Sequence, residues 1–222
     1  MGVWGDILRA VGWAFLPALA LPVLYLMWRP RWLRGLARGL TRTVDTLTFW
    51  TGEIVKWSLP LLVLSVAASV FALSIFGTAT TKWLESAFYF QAVIILLGAG
   101  ATLLAGQHVR VDVFHARMGE RARARVDLLG YYLLLAPVCL LILWNSQGFV
   151  GFAWQTLEGS TESDGIRGVF LLKTLIPLFA ISLLAQGLSI ALRAALALNG
   201  EARPERPHGV EPFFQVADGD VL

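Results

Sequence analysis

The sequence is poor in cysteine, histidine and charge. Its single cysteine, Cys139, lies inside an apolar run. One cysteine cannot form an intrachain disulfide, so we expect a small apolar side chain in the core. The three histidines, His108, His115 and His208, all lie outside the middle of the apolar runs. This pattern argues against a haem or metal held between facing membrane helices, and we expect no cofactor or metal.

The low content of charge sets the class of protein. Charged residues make up 15% of the 222 residues, hydrophobic residues make up 57%, and the mean hydropathy is +0.67. Soluble domains carry about 25% charged residues. The composition therefore predicts an integral membrane protein folded as one compact bundle.

Four apolar runs are long enough to cross a bilayer, which needs about 20 residues as a helix. They cover residues 54–76, 87–106, 126–150 and 169–196, and each is free of charge through its middle. The runs are continuously apolar and lack the alternation of apolar and polar residues seen in membrane β-barrel strands. We therefore expect helices, which satisfy the backbone hydrogen bonds within each segment. We predict an all-α integral membrane fold, with a four-transmembrane-helix bundle in residues 54–198.

The N-terminal segment, residues 1–30, is harder to interpret. Its apolar part, residues 12–28, is short and contains Pro17 and Pro22. We favour an extra N-terminal transmembrane helix, with a re-entrant or interfacial segment as the alternative. A cleaved signal peptide fits poorly because Asp6 and Arg9 do not form a basic N-terminal region.

Residues 31–53 show the pattern of an amphipathic interfacial arm helix. Apolar residues recur every three or four positions and continue into the next segment: Leu33, Leu36, Leu40, Val44, Leu47, Trp50, Ile54 and Trp57. Arg34, Arg38, Arg42 and Asp45 fall on the other side. Such a helix lies at the membrane surface, and we expect its arginines to face lipid and reach anionic headgroups. The polar tail, residues 199–222, is expected to be loosely tethered.

The basic residues also predict the topology. The arm and the stretch "GQHVRVDVFHARMGERARAR" (residues 106–125) are separated by two spans and so lie on one side. Short basic loops favour the cytoplasm, which places the arm, this loop and the C-terminus there. A nucleic-acid patch would need a broader basic face with interleaved aromatic residues. Asp112 is a candidate cap for a short helix beginning at Val113.

Polar residues inside the spans are few and uncharged. This composition makes the chain a poor candidate for an autonomous pump or symporter. Two sets of polar or small residues recur at helical spacing and allow close helix packing: Ser182, Gln186 and Ser189, followed by Arg193, and Gly98, Thr102 and Gly106. They could pack within the chain's own bundle or contact a larger membrane partner. Gln91 and Asn145 add amides that need partners.

Three motifs carry a resemblance to a known family. They are "GQHVRVDVF" (residues 106–114), "WQTLEGS" (residues 154–160) and "LLKTLIPLFAISLLAQGL" (residues 171–188). With the order of the four spans, they make residues 40–198 resemble the small permease subunit of TRAP transporters, the tripartite ATP-independent periplasmic carriers.

The resemblance implies a non-catalytic subunit in the bacterial inner membrane. In that family a periplasmic solute-binding protein delivers an organic acid, often a carboxylate. A large membrane subunit carries the substrate and sodium sites, and a sodium gradient drives import. His108, Arg110 and Asp112 resemble the cytoplasmic interface motif. Glu158 and Ser160 resemble the outer-loop motif, which could position the docked binding protein or only order the loop. Lys173 could reach headgroups or pair with Glu158.

Two other functions stay open from the sequence. One is a self-sufficient small transporter acting as an oligomer. The other is a membrane anchor subunit of a redox complex, which would require histidines facing each other inside the spans.

Overall fold

The described part of the chain is mostly helical. A computed structural model describes residues 3–28, 31–78, 80–106 and 118–201, and these ranges contain no strand. The helices are α1 (Val3–Trp28), α2 (Arg31–Val55), α3 (Ser58–Phe76), α4 (Thr81–Ala105), α5 (Glu120–Thr156) and α6 (Val169–Leu198). Four helical stretches are long and apolar enough to cross a membrane: α4, α5, α6, and α3 taken with α2. The predicted fold class is confirmed.

Helix α6 forms the centre of the bundle. Half of its most apolar stretch is buried, compared with 11–22% for the other three spans. Helices α4 and α5 pack on α6, α3 packs on α4, and α1 packs on α5 and α6. The largest core cluster joins Leu184, Leu188 and Leu192 of α6 to Cys139 and Leu143 of α5. Cys139 is a buried core residue, as predicted.

Helix α1 is part of this bundle. It runs without interruption through Pro17 and Pro22, and its apolar section is Phe15–Trp28. Its side chains pack against the α5–α6 core, and the Tyr132 hydroxyl of α5 donates a hydrogen bond to the Leu19 carbonyl. The crossing of the membrane by α1 stays a prediction.

A break at Lys56 and Trp57 separates α2 from α3. The boundary was predicted at residues 53 and 54, but α2 continues to Val55 and α3 begins at Ser58. Pro60 has no N–H to donate to the Lys56 carbonyl, so a continuous helix would leave that carbonyl unpaired. Here the Leu59 N–H donates to it instead, at 3.1 Å.

Helices α4 and α5 each contain one wider π-helical turn, at Val93–Leu97 and Tyr131–Leu135. Both turns pack on α6. In α5, Pro137 follows two residues after the turn and cannot donate to the Leu133 carbonyl, which accounts for the widening.

Candidate functional site

A buried carboxylate joins the arm helix to the centre of the bundle. The side chain of Asp45 in α2 is 1% exposed and accepts three hydrogen bonds from α6. Gln186 Nε2 donates at 3.0 Å and Ser189 Oγ donates at 2.7 Å to Asp45 Oδ1. Arg193 pairs with Oδ2, and its side chain is 13% exposed. The negative charge of Asp45 is therefore balanced inside the protein.

The position of Asp45 corrects the sequence analysis. We expected Asp45 to lie with the arginines on the side of the arm away from the apolar face. The buried stripe of α2 is instead polar through its middle, with Thr41, Asp45 and Thr48 lying between buried Leu33 and buried Val55. Much of the predicted apolar face is exposed, including Leu47, Trp50 and Ile54. Helix α2 therefore packs on the bundle through a stripe of residues that lies between its apolar side and its basic side.

Small residues bring α2, α4 and α6 close together beside this carboxylate. A Cβ on Gly52 would lie 2.6 Å from Ala101 Cβ. A Cβ on Gly100 would lie 3.3 Å from Ser182 Oγ and 3.5 Å from Thr48 Cγ2. Larger side chains at these glycines would push the helices apart.

The predicted packing residues of α4 and α6 lie near this seam. Gly98 faces Val55 of α2, Thr102 hydrogen-bonds to carbonyls of its own helix, and Gly106 ends α4 with φ 71°. Gln186 and Ser189 bind Asp45, and Ser182 contacts Gly100. The close contact between α4 and α6 thus uses Gly100, which was not among the predicted packing residues. A role in binding a partner stays a prediction.

Just after the end of α6, Glu201 forms ion pairs with two arginines of the arm. Arg34 pairs with Glu201 Oε1 at 2.6 Å, and Arg38 pairs with Oε2 at 3.4 Å. The Tyr25 hydroxyl of α1 donates to Oε1 at 2.5 Å. Both arginine side chains remain more than 40% exposed, and Arg42 is exposed. A large part of each of these arginine side chains is thus open to the surroundings.

At the other end of the bundle, Glu85 holds the loop of residues 157–168. Glu85 Oε2 accepts the Ile166 N–H at 2.5 Å, and Oε1 accepts the Ser160 hydroxyl. Glu85 lies in the second turn of α4, and Lys82, one turn earlier, pairs with Asp164 at 2.7 Å. These contacts attach the loop to the first turns of α4. The sequence analysis missed Glu85.

The predicted outer-loop residues come together in the same region. Lys173 Nζ donates to Glu158 Oε1 at 2.7 Å and to Oε2 at 2.5 Å, with both side chains about one-third exposed. Of the two alternatives for Lys173, the structure shows the ion pair. Beside it, Trp154 Nε1 donates to Thr174 Oγ1 at 2.8 Å, which fixes the end of α5 to α6.

Three predicted residues lie outside the described part of the chain: His108, Arg110 and Asp112. The proposed helix start at Val113 and residues 202–222 of the tail also lie outside it. Over the described ranges, no group of three His, Cys, Asp or Glu side chains is placed to hold a metal ion. The clusters described above consist of ion pairs and hydrogen bonds, which hold helices and the 157–168 loop in position.

The fold defines the class of protein, a multi-pass membrane protein with a helical bundle and a packed arm. A family model described as tripartite ATP-independent periplasmic transporters, DctQ component, matches residues 62–198. This match covers more than half of the chain, so the chain belongs to that family and is a small membrane subunit of a TRAP transporter. No curated protein and no solved structure gave a match to the chain.

Proposed function

We propose that the chain is a non-catalytic subunit that supports sodium-driven import of an organic acid, a carboxylate delivered by a periplasmic binding protein. The observation that carries this proposal is the family match, which covers residues 62–198, from within α3 to the end of α6. In this proposal the large membrane subunit moves the solute. The present chain enlarges and steadies the membrane scaffold.

The internal pairing of charges supports a scaffold role. Arg193 is the ionisable residue of α6 nearest its cytoplasmic end, and its partner Asp45 already accepts two further bonds. A substrate or ion that entered this cluster would have to displace those donors. The cluster is therefore better suited to holding the arm against α6 than to binding and releasing a transported ion.

The proposed orientation follows from which segments meet. The ends of α1 and α6 and the start of α2 meet at Glu201, and the loop of residues 157–168 meets the start of α4 at the other end. By the positive-inside rule, the basic arm supports a cytoplasmic position for the Glu201 end. The C-terminus is then cytoplasmic, in a bacterial inner membrane, and the loop faces the periplasm.

The outer loop is the proposed contact for the binding protein. Glu85, and the pair between Glu158 and Lys173, tie the loop to α4 and α6 without any partner. A preordered surface loses less conformational entropy on binding. Its exposed residues include Glu162 and Arg167, which offer both signs of charge to a soluble partner.

The arm is proposed to contact anionic lipid at the cytoplasmic surface. Arg42 is exposed, and the side chains of Arg34 and Arg38 stay more than 40% exposed beside Glu201. Each cation near an anionic membrane surface contributes about 1 kcal/mol. Apolar residues on the neighbouring side of the helix, such as Trp50, would enter the acyl boundary.

The test is reconstitution with and without the partner. Purification of the tagged chain from native membranes in mild detergent should yield a much larger polytopic protein in stoichiometric amount. Liposomes with both subunits, the binding protein and a sodium gradient should take up a carboxylate. Liposomes with this chain alone should not. Uptake by the chain alone would refute the proposal and favour a self-sufficient carrier.

A further inference from the structure

One face of α4 carries an amide that nothing in the described chain satisfies. Leu84, Phe88, Gln91 and Ile95 follow one another at spacings of four, three and four, and all four are exposed. Gln91 makes no hydrogen bond with any residue in the described ranges. Its position in the middle of an apolar stripe is the unusual feature of this face.

The other two faces of α4 are already packed. Ser86 faces α3, where the Ser65 hydroxyl contacts it and donates to the Trp83 carbonyl at 2.7 Å, and the neighbouring Ala87 is buried. Glu85 and Tyr89 face the outer loop and the start of α6. The stripe with Gln91 is therefore the remaining face of this helix.

Acyl chains cannot satisfy Gln91. The residue lies four positions after Ala87, where the apolar run begins, which is about 6 Å along the helix. Acyl chains offer no hydrogen-bonding group to a side chain on this face. An amide without partners in an apolar medium carries a free-energy cost that a facing protein group removes.

We infer that the face of α4 formed by Leu84, Phe88, Gln91 and Ile95 docks a transmembrane helix of the large subunit. The large-subunit helix would place a hydrogen-bonding side chain or an open carbonyl opposite Gln91. This inference rests on the proposed function, which requires a large membrane subunit beside this chain. Helix α1 cannot be the occupant because it packs on α5 and α6.

A second exposed amide provides a matched control. Asn145 lies eleven residues before the end of α5, on an exposed stripe with Leu141 and Trp144. Its Nδ2 donates to the Leu141 carbonyl of its own helix at 2.9 Å. Asn145 thus has a partner inside the chain where Gln91 has none in the described ranges. Leucine substitutions at the two sites each replace an exposed amide by an apolar side chain, one on α4 and one on α5.

The first test compares Gln91→Leu with Asn145→Leu by co-purification with the large subunit from native membranes. We expect the amount of large subunit retained by Q91L to fall about threefold to tenfold, the range for a lost interhelical hydrogen bond in a membrane. N145L should retain the wild-type amount. Equal retention by Q91L and wild type would overturn the inference and leave the proposed function standing. A loss confined to N145L would overturn it in favour of α5.

A photocrosslink covers the case in which Q91L does not fold. Benzoylphenylalanine is placed at Phe88, whose side chain is 64% exposed, or at Trp144 as the control. In the assembled complex we expect an adduct with the large subunit from position 88 and none from position 144. An adduct with a second copy of this chain, or with lipid alone, would overturn the inference. Failure of the wild-type chain to bring down a large subunit would refute the proposed function itself.

Discussion

Removal of the Asp45 carboxylate should destabilise the bundle more than removal of any exposed acid. Asp45→Ala leaves the Arg193 guanidinium without its counter-charge at a site where its side chain is 13% exposed. It also leaves Gln186 and Ser189 without their acceptor. Breaking a buried ion pair costs about 3 to 5 kcal/mol. We expect about 3 kcal/mol, since Arg193 retains some contact with the surroundings.

Thermal unfolding in mild detergent measures this cost, with tryptophan fluorescence as the signal. A loss of about 3 kcal/mol lowers Tm by about 6 to 12 °C in a chain of this size. The matched control is Glu53→Ala on the same helix, which removes the acid of an exposed pair with Lys56 and should cost less than about 1 kcal/mol.

A double-mutant cycle identifies the cause. D45A combined with Arg193→Ala removes both charges, so its cost should be clearly smaller than the sum of the two single costs. The reasoning is refuted if D45A and E53A lower Tm equally. It is also refuted if the two single costs add.

Three further substitutions test other contacts. Gly187→Ala should lower the free energy of unfolding by about 1 to 3 kcal/mol, because its Cβ would lie 2.5 Å from Leu135 Cδ2 of α5. Gly148→Ala, whose Cβ would meet open space, should not lower it. Equal thermal melts for the two variants would contradict this. Glu85→Gln weakens the acceptor that holds residues 157–168, so their amides should exchange with deuterium faster, while unchanged exchange would show that the loop is held by other contacts. Glu201→Gln removes the shared anion at the end of α6, and limited proteolysis should then cut the N-terminal helix faster than in wild type.

The spans could be predicted because they depend on local composition. A run of about 20 apolar residues in a chain with few charges forms a membrane helix whatever its neighbours are. The helix ends were less accurate because apolar runs stop before the helices do. Helix α5, for example, extends from Glu120 to Thr156 around the predicted residues 126–150.

The packed stripe of the arm could not be predicted from apolar periodicity. Thr41, Asp45 and Gly52 are polar or small, and a search for hydrophobic spacing passes over them. The row on α6 that ends at Arg193 was visible in the sequence as a set of donors on one face. Its acceptor lies 148 residues away from Arg193, and nothing local connects the two.

The loop contacts of Glu85 were hidden for a similar reason. One of its partners is a backbone N–H, that of Ile166, and any residue type except proline supplies such a group. Glu201 was missed because it follows the last helix and was assigned to a loosely tethered tail. Its burial depends on Tyr25 and the arm, which only the fold brings to it.

The separation of Asp45 and Arg193 along the chain has a consequence for biogenesis. The ribosome makes Arg193 148 residues after Asp45, which takes about 7 to 30 s at bacterial or eukaryotic elongation rates. During that interval the arm has no cation of α6 to bind, and water at the membrane surface must solvate the carboxylate. The arm can therefore settle into its final place only after the last span has inserted, so a truncated nascent chain would expose an unanchored arm, with Asp45 lacking its α6 donors, to quality-control proteases.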